Sequence, residues 1–240
     1  MPKKPEIEDL DKRIKILLLE SYPRLLDELE KAGSTCNDFK AWTPLKLISL
    51  SYFVGPYLRI MGKQRKKYSS TKLFYIDLFA GSGINRVDKY LLAGSPIVTI
   101  DSATKESNRF DYMFFVDSNK DYVDSLKKRL EYLKNYEFQD QSKLIPESKF
   151  SWISDRYEVI CGDSNQVIDK IVKRIESENY KHYLAFIDPF KWQLKMETLE
   201  KLLEIKYGDI FITLQASLTA KEIGKRDFLT EKTKKEISDF

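Results

Sequence analysis

Lys72-Leu73-Phe74-Tyr75-Ile76-Asp77-Leu78-Phe79-Ala80-Gly81-Ser82-Gly83 is an apolar, aromatic run that ends in an aspartate and a pair of glycines. The run predicts a buried strand over Lys72–Leu78, and the glycines predict a tight turn after it. Gly81 and Gly83 carry no Cβ, so the backbone can turn sharply or approach a ligand closely. A plain structural turn uses the same residues, so the loop alone leaves both readings open.

The same punctuation recurs downstream. Tyr112–Asp117, Tyr157–Cys161, Tyr183–Asp188 and Asp209–Leu214 read as further strands. Helical spacing falls between them: Val123, Leu126, Leu130 and Leu133; then Val167, Ile168, Ile171, Val172 and Ile175; then Met196–Ile205. Gly94-Ser95-Pro96 reads as a helix start with Ser95 as the cap and Pro96 in the first turn. Residues 135–156 are polar and read as an irregular loop or insertion. Strands apolar on both faces that alternate with helices predict an α/β fold, with a mostly parallel sheet covered on both sides.

Upstream lie two helical patterns. Residues 6–31 carry apolar positions near helical spacing, with Pro23 expected to kink or split the helix and Gly33 to end it. A second helix is expected from Thr43-Pro44 to about Met61, interrupted at Gly55-Pro56. The expected organisation is a helical segment over 1–70, the α/β domain over 71–216, and a charged tail over 217–240.

The chain has 240 residues and is 42% hydrophobic, enough for one large core. No apolar run approaches the ~18 residues of a membrane span, so a cytoplasmic protein with no membrane partner is expected. Cys36 and Cys161 are far apart and lack partners at metal-ligand spacing, so no metal site is expected. His182, the one histidine, sits in an apolar run and reads first as a core or strand-end residue. Net charge is +4, yet no acidic residue occurs between Asp38 and Asp77. Lys40, Lys46, Arg59, Lys63, Arg65, Lys66, Lys67 and Lys72 fill that stretch, which fits either an anionic partner such as nucleic acid or a solvated surface.

The strand ends carry the chemistry. Asp77, Asp117 and Asp188 close strands, and Asp163 follows a strand by two residues. In an open α/β sheet, ligands bind at the carboxyl ends of the strands near the switch in strand order, so four carboxylates should converge on one crevice. Any one of them alone reads more readily as a helix cap or turn residue; it is the four in succession that point to a site. Gly81-Ser82-Gly83-Ile84-Asn85-Arg86 lacks the third glycine of a dinucleotide fingerprint, and no Gly-Lys-Ser/Thr follows. These absences count against nicotinamide and nucleoside-triphosphate enzymes.

Asp77-Leu78-Phe79-Ala80-Gly81-Ser82-Gly83 resembles the first motif of class I methyltransferases, which have a Rossmann-like sheet. The resemblance implies S-adenosylmethionine as cofactor, with Asp77, Phe79, Ala80, Gly81 and Gly83 around its methionine part, Asp117 on the ribose hydroxyls and Asp163 on the adenine amine. Asp188-Pro189-Phe190 is similar to the motif of enzymes that methylate exocyclic amines, although here one proline is present and Lys191 follows. It implies that Asp188 accepts the amine N–H, Pro189 stiffens the turn, and Phe190, with Trp192, stacks a base of DNA or RNA.

Together with Tyr52–Lys67, Gly94-Ser95-Pro96 and Phe115-Val116-Asp117, these motifs resemble the three-Cys-motif partner (TcmP-like) proteins of prokaryotes over about residues 42–215. That resemblance implies a radical-SAM-type protein partner. The alternative function is a non-catalytic partner module with the same fold. The usual C-terminal strand pair is expected to be missing, leaving strand five to be covered by another segment or a partner.

Overall fold

Parallel strands buried on both faces follow from runs in which successive side chains enter opposite core layers. The computed structural model describes residues 15, 17–22, 24–38, 43–87, 90–137, 149–190 and 193–213. Its strands are β1 (Asn37–Asp38), β2 (Lys72–Asp77), β3 (Ile84–Val87), β4 (Tyr90–Ala93), β5 (Tyr112–Asp117), β6 (Tyr157–Cys161), β7 (Lys181–Ile187) and β8 (Gly208–Ile212). Its helices are α1 (Leu25–Ala32), α2 (Thr43–Lys67), α3 (Ser95–Thr104), α4 (Lys120–Lys134), α5 (Ser164–Glu176) and α6 (Met196–Glu204).

The main sheet runs β6-β5-β2-β7-β8, and every pairing in it is parallel. Helices flank it, giving a mixed α/β, Rossmann-like arrangement. The chain moves outward from β2 through β5 to β6, then returns to β7 on the other side of β2. The switch in strand order therefore lies between β2 and β7, where Asp77 pairs in register with Phe186.

Two core layers sandwich the sheet. Leu73, Tyr75, Met113, Phe115, Leu184 and Phe186 face one layer, with α1, α2, α3 and α4. Phe74, Ile76, Phe114, Val116, Tyr183 and Ala185 face the other, with α5 and α6. Leu47, Ile48, Leu50, Val54, Tyr57, Leu58 and Met61 of α2 belong to the first layer, so this upstream helix packs on the sheet.

Several expectations need correction. α2 continues through Gly55-Pro56 without a break. Proline removes only the donor to the Tyr52 carbonyl, and Tyr52 is an exposed residue whose backbone water can serve. Among the described residues the first helix begins at Leu25; residues 17–21 form turns, with Leu19 and Arg24 at positive φ. Leu17 and Leu19 are buried in these turns, so apolar positions near helical spacing arise here without a helix. Gly33 does end α1, its N–H meeting the Leu29 carbonyl at 3.3 Å. Ser95 is the first residue of α3, with Gly94 as its cap. β3 and β4 pair antiparallel and are joined by β1 in a small second sheet that the sequence pattern does not announce. Phe150 and Ile153, within the segment read as a polar loop, are buried core.

β8 is a sheet edge among the described residues, with Ile210, Phe211 and Ile212 partly buried. Residues 6–14, Trp192, Lys191 and the tail over 217–240 lie outside the described residues. Among the described residues, no helix is long and apolar enough to cross a membrane.

Candidate functional site

A cavity of about 630 Å3 opens at the carboxyl ends of β2, β5, β6 and β7. Its size is that of a small-molecule pocket. Phe79, Gly81, Asp117, Asp163, Asp188 and Phe190, all singled out in the sequence, line it. Asn37, Asp38, Lys46, Tyr122, Gln193 and Lys195 also line it and were not assigned to a site from the sequence. Asp77, Ala80, Gly83 and Pro189 are not among its lining residues.

The backbone N–H groups of the glycine loop from Phe79 to Ser82 are each taken up by the protein. The Phe79 N–H donates to Asp77 Oδ1 at 3.2 Å, and the Ala80 N–H to the Val116 carbonyl at 2.8 Å. The Gly81 N–H donates to Asp117 Oδ2 at 2.9 Å, and the Ser82 N–H to Asn37 Oδ1 at 2.7 Å. Gly81 has φ +61°, and a Cβ there would lie 2.9 Å from the Asn37 side chain. Gly83, at φ +83°, is a packing glycine: a Cβ would lie 2.8 Å from Leu126 Cδ1. Anion cradles need free backbone N–H groups aimed at the ligand. Here the four N–H groups of residues 79–82 are spent inside the protein.

Asp77 sits under the loop, wholly buried. Burial pushes its carboxyl up to about 7, and the charges of Asp188 and Asp117 add to this. The Ser95 hydroxyl and the Phe79 N–H act in the opposite sense. Its Oδ2 has no hydrogen-bond partner among the described residues. Asp117 is also raised, mainly by burial, against hydrogen bonds from Asn119 and Gly81. A carboxylate offers about four lone-pair sites, so Asp117 keeps capacity for a ligand. Asp163 caps α5, accepting from the Asn165 N–H at 2.8 Å and from Asn165 Nδ2 at 2.9 Å. The cap reading and the cavity reading therefore hold together for this residue.

Asp188 is already engaged. Lys46 Nζ donates to its Oδ1 at 2.7 Å and to its Oδ2 at 2.5 Å, and the Thr213 hydroxyl donates to Oδ1. In the sequence Lys46 is one lysine of the basic stretch, set between the apolar residues Leu45 and Leu47, with nothing to pair it with Asp188. Phe190 is 55% exposed at the rim, and its N–H donates to Gln193 Oε1 at 3.1 Å. Asn165 ties this loop to α5 by donating to the Gln193 carbonyl and accepting from the Lys195 N–H.

Two other candidates are structural. His182 Nδ1 lies 2.9 Å from the Tyr57 hydroxyl, and burial lowers its pKa. Arg65, in the basic stretch, pairs with Asp111 and bonds the Thr71 carbonyl at 2.9 Å, at the amino ends of the strands. Among the described residues, no group of three or more His, Cys, Asp or Glu side chains could hold a metal ion.

The cavity walls carry four carboxylates, Asp38, Asp117, Asp163 and Asp188, against two ammonium groups, Lys46 and Lys195. Such a surface suits a ligand rich in hydroxyl and amine donors, or a cation. No protein-family model matches the chain, and a search of curated proteins gives no match.

Proposed function

We propose that this chain is a class I, S-adenosylmethionine-dependent methyltransferase acting on an amine of a nucleobase in DNA or RNA. One observation carries the reading: an acidic cavity at the switch in strand order, beneath a glycine loop whose N–H groups are already spent. A pyrophosphate-bearing cofactor such as NAD would need those N–H groups. S-adenosylmethionine carries ribose hydroxyls, an adenine amine and a cationic sulfonium, which match the donor-seeking carboxylates.

On this reading Asp117 accepts from the ribose hydroxyls and Asp163 from the adenine amine. Gly81 and Phe79 form the wall beside the methionine part, and Asp77, Ala80 and Gly83 hold that wall from behind. The cofactor supplies an electrophilic methyl group. Asp188 accepts the N–H of the acceptor amine, whose lone pair is otherwise delocalised into the ring, and holds it in an attacking geometry. Phe190 offers a face on which a base can stack, and Pro189, buried between them, fixes their spacing.

A second reading is a non-catalytic module of the three-Cys-motif partner kind. The observation that favours it is the occupation of Asp188 by Lys46 and Thr213. Thermal unfolding with S-adenosylhomocysteine and with NAD tests the cofactor. At a hundredfold excess over Kd, a ligand bound only by the folded state adds about 2.7 kcal/mol, a shift of several degrees. A rise with the homocysteine compound alone is expected; a rise with NAD alone sinks the reading. Transfer of labelled methyl to RNA or DNA, lost in Asp188→Ala, then separates enzyme from module.

A further inference from the structure

We propose that Lys46 is the specificity residue of the acceptor end, so that Lys46 and Asp188 together select an uncharged, conjugated amine beside a hydrogen-bond acceptor and reject an aliphatic ammonium. This rests on the methyltransferase reading above and names its substrate class more closely.

The argument starts from charge. A largely buried carboxylate facing a cavity would attract any ammonium strongly. Asp188 is not in that state: its side chain is 17% exposed, and its charge is matched by Lys46, 22% exposed, which touches both of its oxygens. An incoming ammonium would have to displace Lys46 or share one carboxylate with a like charge, and both arrangements are unfavourable. A neutral aryl amine brings no charge. Its N–H can take Oδ2 while the Thr213 hydroxyl keeps Oδ1 fixed.

Lys46 then supplies the other half of the contact. An ammonium has three donors and no acceptor. As one N–H leaves Oδ2, it can reach the ring nitrogen or carbonyl that neighbours the amine on a nucleobase edge. The backbone of Lys46 is set by the burial of Leu47 and Ile48 in the core, so its stem reaches the cavity from a fixed helix. Phe190, exposed at the same rim, gives the ring a face to lie against. An aliphatic amine has neither the acceptor nor the face.

The test uses the protein saturated with S-adenosylhomocysteine, so that nucleosides cannot enter the cofactor end. Cytidine, adenosine, guanosine, uridine and n-butylammonium are titrated calorimetrically. At least one of the three amine-bearing nucleosides is expected to bind, and uridine and butylammonium are expected not to. Lys46→Met should weaken that binding about tenfold, the loss of one charged hydrogen bond. Lys46→Arg, which keeps the charge and the donors, should restore most of it. Binding of butylammonium at least as tight as that of the nucleosides overturns the proposal. So does equal nucleoside affinity in Lys46→Met, or binding by none of the three. Failure to bind S-adenosylhomocysteine at all is the separate result that removes the methyltransferase reading itself.

Discussion

Asp77 couples the candidate site to pH. Its carboxyl titrates near 7 in the folded protein and near 3.8 in the unfolded chain. Between those values the folded state holds an extra proton, so this group lowers stability as pH rises from about 4 to about 7. The slope it contributes reaches about 1.4 kcal/mol per pH unit. Asp101 and Asp117 are raised as well and act in the same direction. Asp77→Asn keeps the shape and cannot ionise, so it should gain stability relative to the parent at about pH 8 and little at about pH 4. Urea denaturation at both pH values checks this; an unchanged pH slope would show that Asp77 is not the source. The glycines needed structure to be told apart at this scale. Gly81 faces the cavity while Gly83 serves packing against Leu126, and Gly-x-Gly spelling carries no information about which is which.

At the scale of elements, the glycine loop depends on α4 as much as on its own sequence. Arg129 of α4 is fully buried; it donates to the Ser82 carbonyl at 2.6 Å and to the Leu29 carbonyl at 2.8 Å. The second bond places a cation at the carboxyl end of α1, where the helix dipole favours it. Gly33 makes room, since a Cβ there would lie 2.5 Å from the guanidinium carbon. Arg129→Met strands the Ser82 carbonyl, leaves the Leu29 carbonyl with the Gly33 N–H alone and frees the loop, so it should cost about 2–3 kcal/mol by chemical denaturation. Weaker binding of S-adenosylhomocysteine should accompany that loss. In the sequence, Arg129 is one basic residue in Lys127-Lys128-Arg129, and reads as solvated surface. Helical spacing places it beside Leu126, Leu130 and Leu133, a clue that becomes meaningful only when α1 is known to cover that face.

At the scale of the molecule, the upstream helical segment and the α/β domain share one core layer, and α2 brings Lys46 to the site. A chain lacking residues 1–70 would uncover Leu47, Leu50, Val54, Leu58 and Met61's partners on the sheet. It should therefore lose the cooperative thermal transition of the full chain. Calorimetry of both chains decides it: a truncated chain with a sharp transition would make the two parts independent. The strand order also belongs to this scale. It puts Asp77, the last residue of β2, and Asp188, just past the end of β7 and 111 positions away in the chain, at the ends of neighbouring strands at the switch point.

What the sequence determined by itself was local and periodic. Apolar runs, helical spacing and terminal aspartates located the strands of the main sheet, the α/β class and six of the residues lining the cavity, because burial on two faces leaves a direct trace in composition. Tertiary structure decided what depends on distant segments. The Lys46–Asp188 pair spans 142 positions, the Arg129–Ser82 bond spans 47, and the Asn37–Ser82 bond spans 45. Polar side chains such as these carry no periodic signature, and their roles arise only when packing brings a donor within reach of an acceptor.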